Sequence, residues 1–192
     1  VTAKLLSEDP DRRHDAAEAA IRALTDDGDG ALPPCDIRIG TTIATNALLE
    51  RAGEPVLPAI TRGFGDALSI GYQDRPDIFA RAIRRPAPLF AQVVEIDERV
   101  AEDGTILTPL DADAAAAAFA RAYAGGLRAV AIVLMHGWKH TAHEERLAGL
   151  ARAAGFTQVS VSHQAAPVIR LVTRGDTTLA DAYLSPVLRR YV

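Results

Sequence analysis

The chain has 192 residues, enough for one compact domain or one and a half. With 24% charged residues and a net charge of -4, it carries an ordinary soluble surface and no general electrostatic attraction to nucleic acid or anionic membrane. No apolar run approaches the roughly 20 residues needed to cross a bilayer, and the single cysteine, Cys35, excludes an internal disulfide and fits a reducing, cytoplasmic setting.

In chain order, residues 2–6 read as the tail of a strand. Residues 11–24 read as a helix, because Ala16, Ala19, Ala20, Ala23 and Leu24 recur at helical spacing. The run Asp26-Asp27-Gly28-Asp29-Gly30 stops it. Residues 37–40 form a short strand, residues 42–51 a helix with Gly53 just past its end, and residues 56–60 a second strand. Residues 71–88, rich in Pro and Arg, read as a long loop. Residues 93–96 and 105–107 flank Glu102-Asp103-Gly104, which predicts a hairpin. Asp111 caps an Ala-rich helix running to Ala124, and the continuous apolar run 129–135 predicts a strand covered on both faces. Thr141-Ala142-His143-Glu144 has the form of a capping box opening a helix to Ala154. A strand at 159–161 and a helix at 177–190, bent or restarted at Pro186, complete the chain. The strand–helix–strand rhythm after Leu110 implies an α/β fold, a mixed sheet with flanking helices.

Gly40-Thr41-Thr42-Ile43-Ala44-Thr45-Asn46 is the most informative stretch for chemistry. A strand ends at Gly40, and two hydroxyls then open a helix whose free N–H groups favour an anion. Thr45 and Asn46 lie one turn on and are candidates for the same ligand, while Ile43, Ala47, Leu48 and Leu49 are expected to anchor the helix to the sheet. The plain alternative is that Thr42 only caps the helix. Thr61-Arg62-Gly63-Phe64-Gly65-Asp66 offers the fork of Arg62, though alone it reads more readily as a turn with a packed Phe64. His136, His140 and His143 straddle a strand-to-helix turn and need not converge, so no metal site is expected. Cys35 has no evident base partner. Walker A, Gly-x-Gly-x-x-Gly and Gly-x-Ser-x-Gly patterns are absent from the sequence.

The run from Gly40 through Glu50-Arg51 resembles a signature of the hydantoinase A/5-oxoprolinase family. Further blocks follow in the family's order. They are Thr61-Arg62-Gly63-Phe64-Gly65-Asp66, Arg75-Pro76-Asp77, Glu98-Arg99-Val100, Leu134-Met135-His136-Gly137-Trp138, Ser162-His163 and Ala182-Tyr183-Leu184-Ser185-Pro186. The resemblance covers residues 35–192 and implies a fold similar to part of the acetate kinase/sugar kinase/actin/Hsp70 group. It also implies that residues 1–192 are the N-terminal region of a longer chain. The activity it implies is ATP-dependent opening of a hydantoin or 5-oxoproline-type lactam ring through phosphorylation of the amide oxygen. The alternatives are a subunit fragment of a related ATP-dependent ketone carboxylase and a non-catalytic binding module.

ATP and Mg²⁺ are implied for the complete enzyme, with neither expected on this region alone. The implied partners are a small cyclic amide, the rest of the chain and a hydantoinase B-type subunit. On this reading Thr41, Thr42, Thr45, Asn46, Arg62 and Arg75 are the expected substrate- or nucleotide-binding residues, and no catalytic residue is assigned. The family's glycine-rich phosphate loop would lie before Val1 and its second phosphate loop after Val192, so the isolated chain is expected to fold without turning over. Gln164 stands where the family has Glu, and Asp181 where it has Asn.

Overall fold

The computed structural model describes residues 16–25, 30–31, 34, 36, 40–72, 78–79, 81–82 and 86–191. The strand expected at 2–6, residues 37–39 of the strand expected at 37–40, the start of the helix at 11–15, Cys35 and Arg75 lie outside them. The chain divides into two units, residues 1–41 with Val192, and Thr42–Tyr191. In the first, α1 (Ala16–Thr25) is closed by Arg22, which donates to Glu18 one turn back and to the Gly30 carbonyl.

The second unit is built on a four-stranded parallel sheet, in the order β2 (Val94–Ile96), β1 (Val56–Thr61), β5 (Ala129–Val133), β6 (Gln158–Val161). A separate antiparallel pair joins β3 (Arg99–Val100) to β4 (Ile106–Thr108). The expected α/β class therefore holds, with the parallel and antiparallel pairings divided between two sheets. The hairpin's composition differs from expectation. Val94–Ile96 pairs with β1, and Arg99–Val100 takes its place opposite Ile106–Thr108. Ile96 is the physical reason: next to β1 it is fully buried in the main core, which a free-standing hairpin does not offer.

Two helices cover one face of the sheet. α4 (Ala112–Ala124) and α5 (Ala142–Ala153) pack Phe119, Leu147 and Ala151 onto Leu57, Val130 and Ile132. The opposite face presents Val56, Ala129 and Ala131 to α7 (Leu171–Tyr191) through Leu179, Ala182 and Tyr183. The alternation along β5 thus sends Val130 and Ile132 toward α4 and α5, and Ala129 and Ala131 toward α7. Asp111 caps α4 as expected, its carboxylate accepting from the Ala114 amide at 2.9 Å. α7 begins at Leu171, earlier than expected, and runs through Pro186 without a restart. An internal proline costs about 3 kcal/mol; packing of α7 against the sheet, α2 and α6 offsets it.

α2 (Ile43–Leu49) packs on α7 rather than on the sheet. Of its expected anchors only Ala47 is buried; Leu49 is 76% exposed and Leu48 also reaches the surface. The turn after α2 uses Arg51 in the left-handed region (φ 58°). Gly53 serves a different end, because a Cβ there would meet the Tyr183 ring at 2.1 Å. α2, α3 (Ala67–Ile70), α7 and residues 86–90 enclose an open groove of about 490 Å³, walled by Leu48, Leu68, Leu89, Phe90 and Leu179, with Asp176 at its lip. Burial pushes the Asp176 carboxyl above its usual range.

Two outcomes follow for stability. Gly53→Ala should lower stability by about 1–3 kcal/mol through the forced shift of Tyr183, whereas Arg51→Gly should raise it by about 1 kcal/mol by relieving the left-handed residue. Chemical denaturation of both variants checks the opposite signs. Ionised Asp176 is disfavoured in the fold, so it opposes stability once pH exceeds the ordinary carboxylate range. Asp176→Asn should therefore raise the melting temperature at pH 7, and this gain should vanish as pH falls below that range. A gain equal at pH 3 and pH 7 would contradict this.

Candidate functional site

The strand order creates a switch point. From β1 the chain crosses to β2 on one side, then returns to β5 on the other and continues outward to β6. Open α/β sheets place ligands beyond the carboxyl ends of the strands at such a point. Here it lies between Thr61, at the end of β1, and Leu134-Met135, just past β5.

That edge is polar and nearly dry. The buried Thr61 hydroxyl donates to Glu98 Oε1 at 2.5 Å and accepts from the Met135 amide at 3.0 Å. The other Glu98 oxygen receives His143 Nδ1 at 2.9 Å. Glu144, the next residue on α5, is fully buried and accepts four hydrogen bonds. They come from the Leu134 amide (2.8 Å), the Ser162 hydroxyl (2.6 Å), the His163 amide (3.1 Å) and His163 Nδ1 (2.7 Å). A capping role for Glu144 is thereby corrected, since its side chain points inward. Thr141 instead donates its hydroxyl to Glu145 at 2.9 Å. Gly137 makes room for Glu144: a Cβ there would fall 2.3 Å from Oε1.

The guanidinium of Arg174 closes the cluster from α7, donating to Ser162 Oγ and to the Leu134, Met135, Val168 and Ile169 carbonyls. Burial lowers its pKa from the usual arginine range, and the nearby Glu144 carboxylate opposes that shift. Both carboxylates engage histidine Nδ1, which leaves each Nε2 directed elsewhere; His163 Nε2 lies 3.9 Å from Glu145.

The histidines of the β5–α5 turn are divided among partners. His136 Nδ1 donates to the Val100 carbonyl at 2.7 Å, and His140 Nε2 to the Glu102 carbonyl at 2.9 Å. Lys139 adds an ion pair with Glu102 at 2.7 Å. Together they fasten this turn to the hairpin. Among the described residues no three His, Cys, Asp or Glu side chains are grouped to hold a metal ion.

The sequence-derived candidates fall in several places. Thr41 belongs to the first unit. Thr42 occupies the cap position of α2, yet its hydroxyl makes no capping bond, and Thr45 and Asn46 are exposed. Arg62 pairs with Asp97 at 2.7 Å on the outer side of the switch point. Arg75 lies outside the described residues. The turn after β1 holds an anion of its own: the Gly63 and Gly65 amides both donate to Glu95 Oε1, at 2.9 and 3.0 Å, and Phe64 lies under the Arg99 guanidinium. Sequence reasoning missed Arg174, which lies just before the helix expected at 177–190, and gave Glu98 and Glu144 no site role. The signal in the sequence was a set of single polar residues beside strand ends: Thr61, Ser162 and His163.

Residues 1–155 match the family described as "Hydantoinase/oxoprolinase N-terminal region". The chain is 37% identical to 5-oxoprolinase 1 of Arabidopsis thaliana, an alignment covering 98% of this chain and 17% of that protein. It is 35% identical to caprolactamase subunit alpha of Pseudomonas jessenii, over 82% of this chain and 24% of that one. The crystal structure of the ATP-dependent caprolactamase from Pseudomonas jessenii superposes with a TM-score of 0.75 at 31% identity, over 96% of this chain and 28% of its own. A nucleotide-free acetone carboxylase structure, with a TM-score of 0.69 and 24% identity, shares the fold. The chain thus spans less than a third of the length of each of these proteins. On the match over residues 1–155, and with its parallel sheet and polar carboxyl edge, the chain belongs to the hydantoinase/oxoprolinase family.

Proposed function

We propose that the chain is the N-terminal region of an ATP-dependent hydrolase that opens a small cyclic amide of the 5-oxoproline or lactam type. The observation that carries this reading is its similarity, along 98% of its own length, to a protein named 5-oxoprolinase 1, supported by the fold it shares with an ATP-dependent caprolactamase. In the proposed reaction the amide oxygen attacks the γ-phosphorus of ATP and ADP leaves. Water then adds to the activated carbon and the ring C–N bond breaks as the nitrogen takes up a proton, leaving an acyl phosphate; a second water adds at its carbonyl carbon, and phosphate departs with the original amide oxygen. Such chemistry relies on positioning and on stabilising developing charge.

The described residues supply no cluster for Mg²⁺, so no step is assigned to a metal held by this region. What the region offers a ligand is the exposed polar side of α2, with Thr42, Thr45 and Asn46, and Arg62, paired with Asp97 beyond the end of β1. The remainder of the chain and a second, hydantoinase B-type subunit complete the enzyme in this proposal. The name of the caprolactamase relative, a subunit alpha, supports the second component.

With the complete protein, addition of 5-oxoproline or caprolactam should stimulate phosphate release from ATP and yield the ring-opened amino acid. Lactam carrying ¹⁸O in its carbonyl should pass that label to phosphate; a label kept wholly in the product carboxylate would overturn cleavage of the acyl phosphate at carbon. Acetone with bicarbonate should give no comparable stimulation. Asn46→Ala, exposed on α2, should lower kcat/KM at least about tenfold, ~1.4 kcal/mol of transition-state stabilisation, without a change in melting temperature. Normal turnover in that variant would remove α2 from the site.

A further inference from the structure

Among the described residues Arg174 is the arginine most completely withdrawn from water. Withdrawing a guanidinium is costly unless its donors are satisfied. All five of its N–H groups have acceptors. Nε donates to Ser162 Oγ at 2.8 Å, Nη1 to the Val168 and Ile169 carbonyls at 2.9 and 3.3 Å, and Nη2 to the Leu134 and Met135 carbonyls. Four of the five acceptors are backbone. They belong to the two segments that leave the carboxyl ends of β5 and β6, the turn into α5 and the link between α6 (Ser162–Ala165) and α7. The fifth acceptor, Ser162, donates its own hydroxyl to Glu144, whose second oxygen holds His163.

An arginine whose task was charge neutralisation would meet Glu144 directly. This one instead spends its fork on carbonyls and reaches Glu144 through a hydroxyl. The link it holds carries Val168 and Ile169, whose side chains are 42% and 67% exposed. Apolar burial therefore does not fix that link, and the guanidinium does.

We propose that Arg174 is a positioning residue: it sets the backbone of residues 134–136 and 168–169 in the shape that the carboxyl-edge site needs for turnover. Its effect on turnover rests on the lactam-hydrolase reading above; its effect on backbone order does not.

Two measurements separate these. In the chain itself, amide hydrogen exchange of Arg174→Gln should rise about tenfold or more at Leu134, Met135, Gly137, Ala166 and Val168, while the paired amides of β1 and β5 keep their protection. Arg174→Lys retains the charge with three donors and should fall between wild type and Arg174→Gln. A rise spread evenly over the sheet, or no rise at all, would overturn the proposal. Should Arg174→Gln fail to fold, Ser162→Ala removes one acceptor and should loosen the same amides to a smaller degree; unchanged exchange there would count equally against it.

In the complete protein, Arg174→Lys should lower kcat about tenfold while the KM values for ATP and lactam stay within about twofold. Loss of KM with kcat intact would assign Arg174 a binding role instead and overturn positioning. If wild-type protein opens no lactam, the functional reading fails and the exchange data alone decide the role of Arg174.

Discussion

Where β5 leaves the sheet, the amide of Leu134 must find an acceptor in an interior that excludes water. It finds Glu144, and most of the carboxyl edge follows from that hydrogen bond. A buried carboxylate needs several donors, and Ser162 and His163 supply them from the start of α6. Its bulk requires Gly137 opposite. Arg174, linked to it through Ser162, then gathers the neighbouring carbonyls. Loss of any one member removes a hydrogen bond from another that stays buried, so the cluster is cooperative in the sense that polar networks in a low dielectric are.

The two faces of the sheet place this edge. α4 and α5 bury aromatic and branched side chains against β1 and β5, and the first turn of α5 thereby delivers His143 and Glu144 to adjacent strand ends. On the other face, the alanines of β5 let α7 approach closely and carry Arg174 to the same edge. Helices from opposite faces thus meet at one set of carbonyls. This is the feature most directly relevant to a hydrolase reading, because it fixes loops at the position where α/β sheets hold ligands.

Much of the fold was legible because it is encoded locally. The apolar run of β5 and the Asp111 cap of α4 need only their own neighbours to be recognised. Residues 94–96 were assigned to the wrong partner because a three-residue strand satisfies two pairings, and only the burial of Ile96 against β1 decides between them. The site was less legible for the same reason. Thr141 and Glu144 have capping-box spacing, but the donors that draw Glu144 inward, Leu134 and Ser162, are 10 and 18 residues away in sequence. Leu48 and Leu49 looked like anchors by composition, yet α2 rests on α7 through Ala47 and leaves them outward. Family resemblance identified the chain where periodicity could not, and it did so without pointing to Arg174.

The turn after β1 carries a further consequence. Its two glycine amides converge as a receptor for an anion, and Glu95 already occupies it. A tethered competitor of this kind acts at an effective concentration in the millimolar range or above. Free phosphate or a loosely held phosphoryl group competes poorly against it. The turn is thus a filled receptor, which a free anion enters only by displacing Glu95.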